Sequence, residues 1–160
     1  HTPIRRQRQM CIRDRLLRED LDGRIDNAIE EVLRYTSTTT NFRRTTTAAA
    51  EIGGVPVEKG AKIYLSYAGA NRDPDVFEDP HQFDITRQNA RKHLAFGTGP
   101  HVCTGARLAR LQLKALLKQI VTRLPDIRVV EAEWLRSIWF NAIIRMPVEF
   151  TPVIQKGGST

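Results

Sequence analysis

The stretch Phe96-Gly97-Thr98-Gly99-Pro100-His101-Val102-Cys103-Thr104-Gly105 constrains this chain more than any other. Glycine and proline at this density mark a turned loop rather than a helix or strand. A long helical pattern begins directly behind it, so the loop presents a single cysteine at a helix N-terminus. Unpaired backbone N–H groups and the positive end of the helix dipole stabilise a thiolate there. A thiolate so held is either a reactive nucleophile or a soft metal ligand.

The pattern behind the loop runs from Ala106 to Leu124. Leu108, Leu111, Ala115, Leu116 and Val121 mark its apolar face, and Pro125 ends it. A second helix is expected from about Leu21 to Tyr35, where Ile25, Ile29, Val32 and Leu33 give an apolar stripe. Within it Glu31 and Arg34 share a face. On spacing alone they read as an exposed ion pair, worth under about 1 kcal/mol. Thr36 to Asn41 is a Ser/Thr tract of extended character. Arg43 to Ser66 reads as short strands with turns at Gly53-Gly54 and Lys59-Gly60, and Ile63, Leu65 and Tyr67 alternate as a strand should. A long coil is expected from about Asn71 to Pro100, and strand-like segments at 127–130 and 146–150. No internal repeat is present.

The cysteine loop resembles the haem-binding loop of the cytochrome P450 family, the haem-thiolate monooxygenases. Phe96, Gly97, Gly99, His101, Cys103 and Gly105 fall where that family's pattern has them. Thr104 departs from it, since the residue after the ligand is usually aliphatic. Three further segments follow in the family's order: Glu31-x-x-Arg34, then Ala70 to Pro80, similar to the approach to the family's "meander", then Phe83 to Arg87. The resemblance covers roughly Leu16 to Pro152. It implies a mainly α fold with small β-sheets (α+β), of which this chain is the C-terminal portion, since family members are considerably longer.

The resemblance also implies roles. Cys103 would ligate the iron of haem b, and the thiolate would push electron density toward O–O cleavage. Glu31, Arg34 and Arg87 would form a buried triad beneath the loop. His101 and Arg44, or its neighbour Arg43, would meet the haem propionates, which need cationic partners. The plain alternative for either arginine is an exposed edge-strand charge. Thr38, Thr39, Thr40 and Asn41, with Phe140 and Asn141 from a C-terminal hairpin tip, would line the substrate space. Trp134 reads as core packing. His93 is expected to cap the loop without ligating, and His81 to lie on the surface. The tract Ser37 to Thr45, together with Phe140 to Val148, looks like bacterial members acting on sterols and methyl-branched lipids.

The implied partners are an apolar substrate, dioxygen and a ferredoxin-type iron–sulfur electron donor. Arg107 and Arg110 are either part of its docking patch or a solvated helix face. The acid–threonine pair that delivers protons in the family lies on a distal helix that this sequence lacks. Ala68-Gly69-Ala70-Asn71 is its nearest imitation, so these 160 residues alone are not expected to hold haem tightly or to turn over.

Composition bounds the other readings. No apolar run is long enough to span a bilayer, and the start carries no signal-peptide pattern. Two cysteines, Cys11 and Cys103, make no disulfide scaffold, and a ligating thiolate must stay reduced, which suits the cytoplasm. The net charge is +7. Arg5, Arg6, Arg8, Arg13, Arg15 and Arg18 carry much of it, which raises a basic arm for nucleic acid or an anionic membrane surface. No aromatic platform or nucleic-acid fold signature accompanies it. Met10 to Arg15 resembles translated sequencing-adapter sequence, so residues 1–15 are expected to be an artefact or a disordered basic arm. Residues 16–153 are then the folded part and 154–160 a polar tail. A zinc or thiol-redox site built on His93, His101 and Cys103 is the remaining alternative, though it lacks the usual four ligands.

Overall fold

A computed structural model describes residues 15–151. A helical lead-in at 15–19 is followed by helix α1, Leu21–Thr36. Asp20 caps it, its side chain accepting from the Gly23 N–H at 3.1 Å, and the left-handed Ser37 ends it. Ile25, Ala28 and Ile29 lie on the buried face of α1. Glu30, Glu31 and Arg34 are buried with them. Three charged residues sealed in one helix must have partners, because unpaired burial of a charge is prohibitive.

The chain then forms β1 (Asn41–Thr45), the hairpin β2 (Ala50–Ile52) and β3 (Val55–Val57), and β4 (Lys62–Ser66). β1 pairs antiparallel with β4, Phe42 opposite Leu65 and Arg44 opposite Ile63. Tyr67 does not continue the alternation of β4. It opens a one-turn helix, α2 (Tyr67–Ala70), capped by the Ser66 hydroxyl, and its ring turns inward against Phe42 at 5.8 Å between centroids. From Asn71 to Pro100 the chain is coil broken by a short 3₁₀ turn at Ala90–Lys92 and by the start of another at Gly99–His101, with Phe77 and Ile85 as buried anchors.

Helix α3, Ala106–Arg123, packs antiparallel on α1. Leu17, Ala28 and Ile85 form the core there, with Leu117 and Val121 of α3 packed against it. The predicted apolar face of α3 is therefore corrected. Leu108, Leu111 and Leu116 are exposed, and of the expected stripe Val121 alone touches this core. The helix is apolar on two sides, and periodicity does not choose between them.

Charge fixes the register of the two helices. Lys118 meets Asp22 at 2.7 Å, Lys114 meets Asp26 at 2.7 Å, and Arg110 meets Glu30 at 2.7 Å. Acids spaced by four on α1 thus face bases spaced by four on α3, from a solvent-exposed rung to a buried one. Arg18 completes the seam by donating to the carbonyls of Val121 and Pro125 at the C-terminal end of α3, where a cation is favoured.

Two small ribbons follow: β5 (Arg128–Val129) with β8 (Val148–Glu149), and β6 (Glu133–Trp134) with β7 (Ile143–Arg145). The β6–β7 pair was not evident from the sequence. Trp134 is 55% exposed, so the expectation that it packs in the core is also corrected. The architecture is the helix-plus-small-sheet mixture expected. No helix among the described residues is long and apolar enough to cross a membrane.

Candidate functional site

The cysteine loop is closed by its own backbone. The Cys103 N–H donates to the Phe96 carbonyl at 2.9 Å, and the Ala106 N–H donates to the Cys103 carbonyl at 3.1 Å. Gly97 and Gly99 sit at φ 71 and 69, a left-handed geometry that a side chain resists. Gly105 does not need that freedom, with φ −81 at the N-cap of α3. A Cβ there would reach 3.8 Å from the Cys103 sulfur.

Cys103, the one cysteine among the described residues, is free and opens on a cavity of about 900 Å³, within the range of small-molecule and cofactor sites. Leu33, Phe42, Ala95, Phe96, Val102 and Ala109 supply apolar walls. Arg44 and His101 bring cationic or hydrogen-bonding groups to the same space, and Thr38, Thr39 and Thr104 border it. Arg43 is exposed and does not border it; strand alternation sends it to the opposite face from Arg44. One soft sulfur, apolar walls and basic groups suited to carboxylates fit a flat, largely apolar macrocycle bearing acidic substituents.

The expected triad is present. Glu31 and Arg34 are wholly buried and joined twice, Nε to Oε2 at 2.7 Å and Nη2 to Oε1 at 2.8 Å. Arg87 Nε comes to 3.3 Å from Glu31 Oε2, and the Asp84 N–H donates to Oε1 at 2.8 Å. The two guanidiniums spend their remaining donors on carbonyls of the coil: Arg34 on Asn71, Pro80 and Gln82, Arg87 on Glu78, Asp79 and Gln82. The surface-pair reading of Glu31 and Arg34 is thereby excluded.

A family model for cytochrome P450 matches residues 24–125, a stretch that holds the triad, the cavity walls and the cysteine loop. The chain belongs to the cytochrome P450 family. It is 45% identical over 134 residues to cytochrome P450 126 of Mycobacterium tuberculosis, covering 83% of this chain and 32% of that protein. It is 39% identical over 130 residues to the steroid C26-monooxygenase of Mycolicibacterium smegmatis, covering 80% of this chain and 30% of that protein. Among solved structures it superposes with TM-score 0.85 and 38% identity on P450BioI in complex with an acyl carrier protein bearing hexadec-9Z-enoic acid, covering 89% of this chain and 37% of that one. The chain thus spans about a third of the length of the relatives it matches. P450 proteins bind haem through a cysteine thiolate.

The other expected P450 wall residues divide. Thr38 and Thr39 border the Cys103 cavity. Thr40 and Asn41 instead tie β1 to the C-terminal hairpin, Thr40 Oγ1 and Asn41 Nδ2 both donating to the Ile138 carbonyl, at 2.8 and 2.6 Å. Phe140 bridges to Thr39, but it and Asn141 line a second cavity with Thr36, Ser37 and Arg72. Asn141 Nδ2 donates to the Thr36 carbonyl at 2.7 Å. Ala68-Gly69-Ala70-Asn71 forms α2 and its C-cap, with Asn71 wholly buried. Asn71 Oδ1 accepts from the Leu94 N–H at 2.6 Å and its Nδ2 donates to Ser37 Oγ at 2.9 Å. His81 is exposed, as expected.

Sequence reasoning missed Glu30. It is 3% exposed, and three groups converge on it. Arg110 donates to both its oxygens, at 2.7 and 3.0 Å. His93 Nε2 lies 3.0 Å from Oε2, and Arg91 Nε 3.8 Å from Oε1 at the rim. His93 does cap the loop as expected, its Nδ1 accepting from the Ala95 N–H at 3.1 Å. That contact leaves the proton on Nε2, facing Glu30. Burial drives the His93 pKa below its ordinary value, outweighing the pull of Glu30. Burial works the other way on Glu30, but the hydrogen bonds and charge of Arg110, with those of His93, hold its carboxyl below the usual range. Arg110 is therefore not a free docking charge. The zinc alternative finds no support: both nitrogens of His93 are spent, and among the described residues no group of three or more His, Cys, Asp or Glu side chains is placed to hold a metal. The basic-arm reading rests chiefly on residues 1–14, which lie outside the described residues.

Proposed function

We propose that this chain is the haem-thiolate portion of a monooxygenase that hydroxylates an apolar small molecule. One observation carries the reading: the Cys103 thiol opens on the same apolar cavity as Arg44 and His101. Bound there, haem supplies oxygen activation, in which one atom of dioxygen enters the substrate and the other leaves as water, with electrons from a partner protein. Cys103 provides the ligand. Arg44 and His101 meet the propionates, and Arg44 takes this role over Arg43 because it alone of the two borders the cavity. Thr38 and Thr39 border the substrate side.

The substrate class we favour is a sterol or methyl-branched lipid, supported by the likeness to a steroid C26-monooxygenase. The electron donor is of ferredoxin type. Arg107, exposed near the start of α3, remains available to such an acidic partner, whereas Arg110 is engaged by Glu30. We assign the enzyme to the cytoplasm, because a ligating thiolate must stay reduced.

The test is a reduced carbon monoxide difference spectrum of the full-length, haem-loaded protein. A thiolate-type band is expected, and Cys103→Ser should abolish it. Retention of that band in the serine variant would refute the assignment of Cys103.

A further inference from the structure

We propose that Glu30 is the positioning residue of the cysteine loop: a single buried carboxylate that grips the chain on both sides of Cys103, at His93 and at Arg110, and so sets where the thiolate sits. The inference rests on the haem-thiolate reading and adds to it a residue outside the Glu31 triad.

His93 stands at the entry of the loop and Arg110 on the second turn of the helix that leaves it. Both converge on Glu30 of α1, so one side chain fixes the two ends of the turn that carries the sulfur. Arg110 is held in the planar, two-pronged geometry that gives a guanidinium–carboxylate pair its directionality. Its guanidinium carbon lies 4.7 Å from the centroid of the Phe96 ring, a cation–π distance. The Phe96 carbonyl in turn accepts the Cys103 N–H at 2.9 Å. The path from carboxylate to cysteine is thus Glu30, Arg110, Phe96, Cys103, with no gap. The His93 ring flanks Phe96 from its other neighbour, at 6.0 Å between centroids.

Charge matching at the neighbouring rungs shows what Glu30 does beyond joining two helices. Asp22–Lys118 and Asp26–Lys114 are exposed and already hold α1 against α3. In the third rung the carboxylate is buried, takes two donors from the partly exposed Arg110 and recruits a histidine from a separate segment. Helix pairing alone requires none of these additions.

The experiment uses the full-length, haem-loaded protein and reads the ratio of thiolate-type to thiol-type carbon monoxide complexes at equal haem content. Glu30→Gln keeps the shape and removes the charge. The ratio is expected to fall about tenfold, the equivalent of about 1.4 kcal/mol, the scale of one charge-assisted hydrogen bond. Arg110→Gln, at a partly exposed position that tolerates change, should move it in the same direction. Lys114→Gln, which breaks the adjacent rung and touches nothing in the loop, should leave it unchanged. Parental ratios in both Glu30→Gln and Arg110→Gln would overturn the proposal, as would an equal fall in Lys114→Gln. If Glu30→Gln does not fold, Arg110→Gln decides. A parent protein without any thiolate-type band would overturn the haem-thiolate reading itself. A parent with the band and unmoved variants would remove Glu30 alone.

Discussion

Replacing Arg34 by lysine keeps the charge and removes the geometry, which makes it the sharpest test of how the buried triad works. All five N–H donors of Arg34 are used: Nε and one Nη2 hydrogen on Glu31, the other on Gln82, and Nη1 on Asn71 and Pro80, at 2.7 to 3.1 Å. Lysine offers three donors from a single point, so at least two of these five hydrogen bonds are lost, although Gln82 keeps Arg87 and Glu31 keeps Arg87 and the Asp84 N–H. Arg34 and Glu31 are both fully buried, and each charge-assisted hydrogen bond lost there costs about 1–3 kcal/mol. The sum is about 2–6 kcal/mol, in line with the roughly 3–5 kcal/mol for breaking a buried ion pair. Against a total stability of about 5–15 kcal/mol, such a loss is severe. The assay is urea unfolding of the full-length protein, comparing midpoints at unchanged slope. Arg34→Met should lose still more, because Glu31 then keeps Arg87 alone as its counter-charge. A loss below about 1 kcal/mol for Arg34→Lys would refute the reasoning, since it would mean that charge without directed donors satisfies the site.

The remaining expectations are more local. His93 is neutral when folded because burial disfavours its charged form, so its contribution to stability is complete above its ordinary 6.5 and is lost as pH falls below it. Urea midpoints at about pH 7.5 and 5.5 should therefore converge in His93→Gln relative to the parent, and an unchanged difference would contradict this assignment. Gly97→Ala should destabilise more than Gly99→Ala, although both positions are left-handed, because a Cβ at Gly97 meets the Tyr67 hydroxyl at 3.2 Å and one at Gly99 meets nothing. The shared conformational cost is about 1–2 kcal/mol. Equal losses on chemical unfolding would show that the Tyr67 contact yields freely.

The two long helices were legible because their apolar spacing is strong and Pro125 marks the end of α3. The loop was legible because glycine at Gly97 and Gly99 answers a backbone demand that sequence displays directly. Which side of α3 faces inward was not, since Leu108 and Leu111 are as apolar as Leu117 and Val121, and only a partner decides between them. Trp134 was misjudged on a general preference of large aromatics for burial, which a two-residue ribbon does not provide. Glu30 was hidden by its neighbour. Beside the recognisable Glu31-x-x-Arg34 it was passed over. A signal was nonetheless present, in acids at 22, 26 and 30 matched by bases at 110, 114 and 118 with the same spacing of four.

Two adjacent glutamates point about 100° apart on one helix, so they serve different segments. Glu31 holds the coil from Glu78 to Arg87 through Arg34, Arg87 and the Asp84 N–H. Glu30 holds the cysteine loop through His93 and Arg110. The two networks meet at Asn71, whose backbone carbonyl accepts from Arg34 and whose side-chain oxygen accepts from the N–H of Leu94, the residue after His93. Asn71 is wholly buried and polar, which is costly unless every group is paired, and here both amide ends and the carbonyl are. The joint has a physical consequence. A buried network that is fully satisfied specifies one arrangement, because any displacement leaves a charge unpaired. Coil and loop, neither stiffened by regular structure, are thereby held in fixed relation to α1 and to each other. On that reading charge and hydrogen bonding, rather than the apolar lining of the cavity, set the position of Cys103.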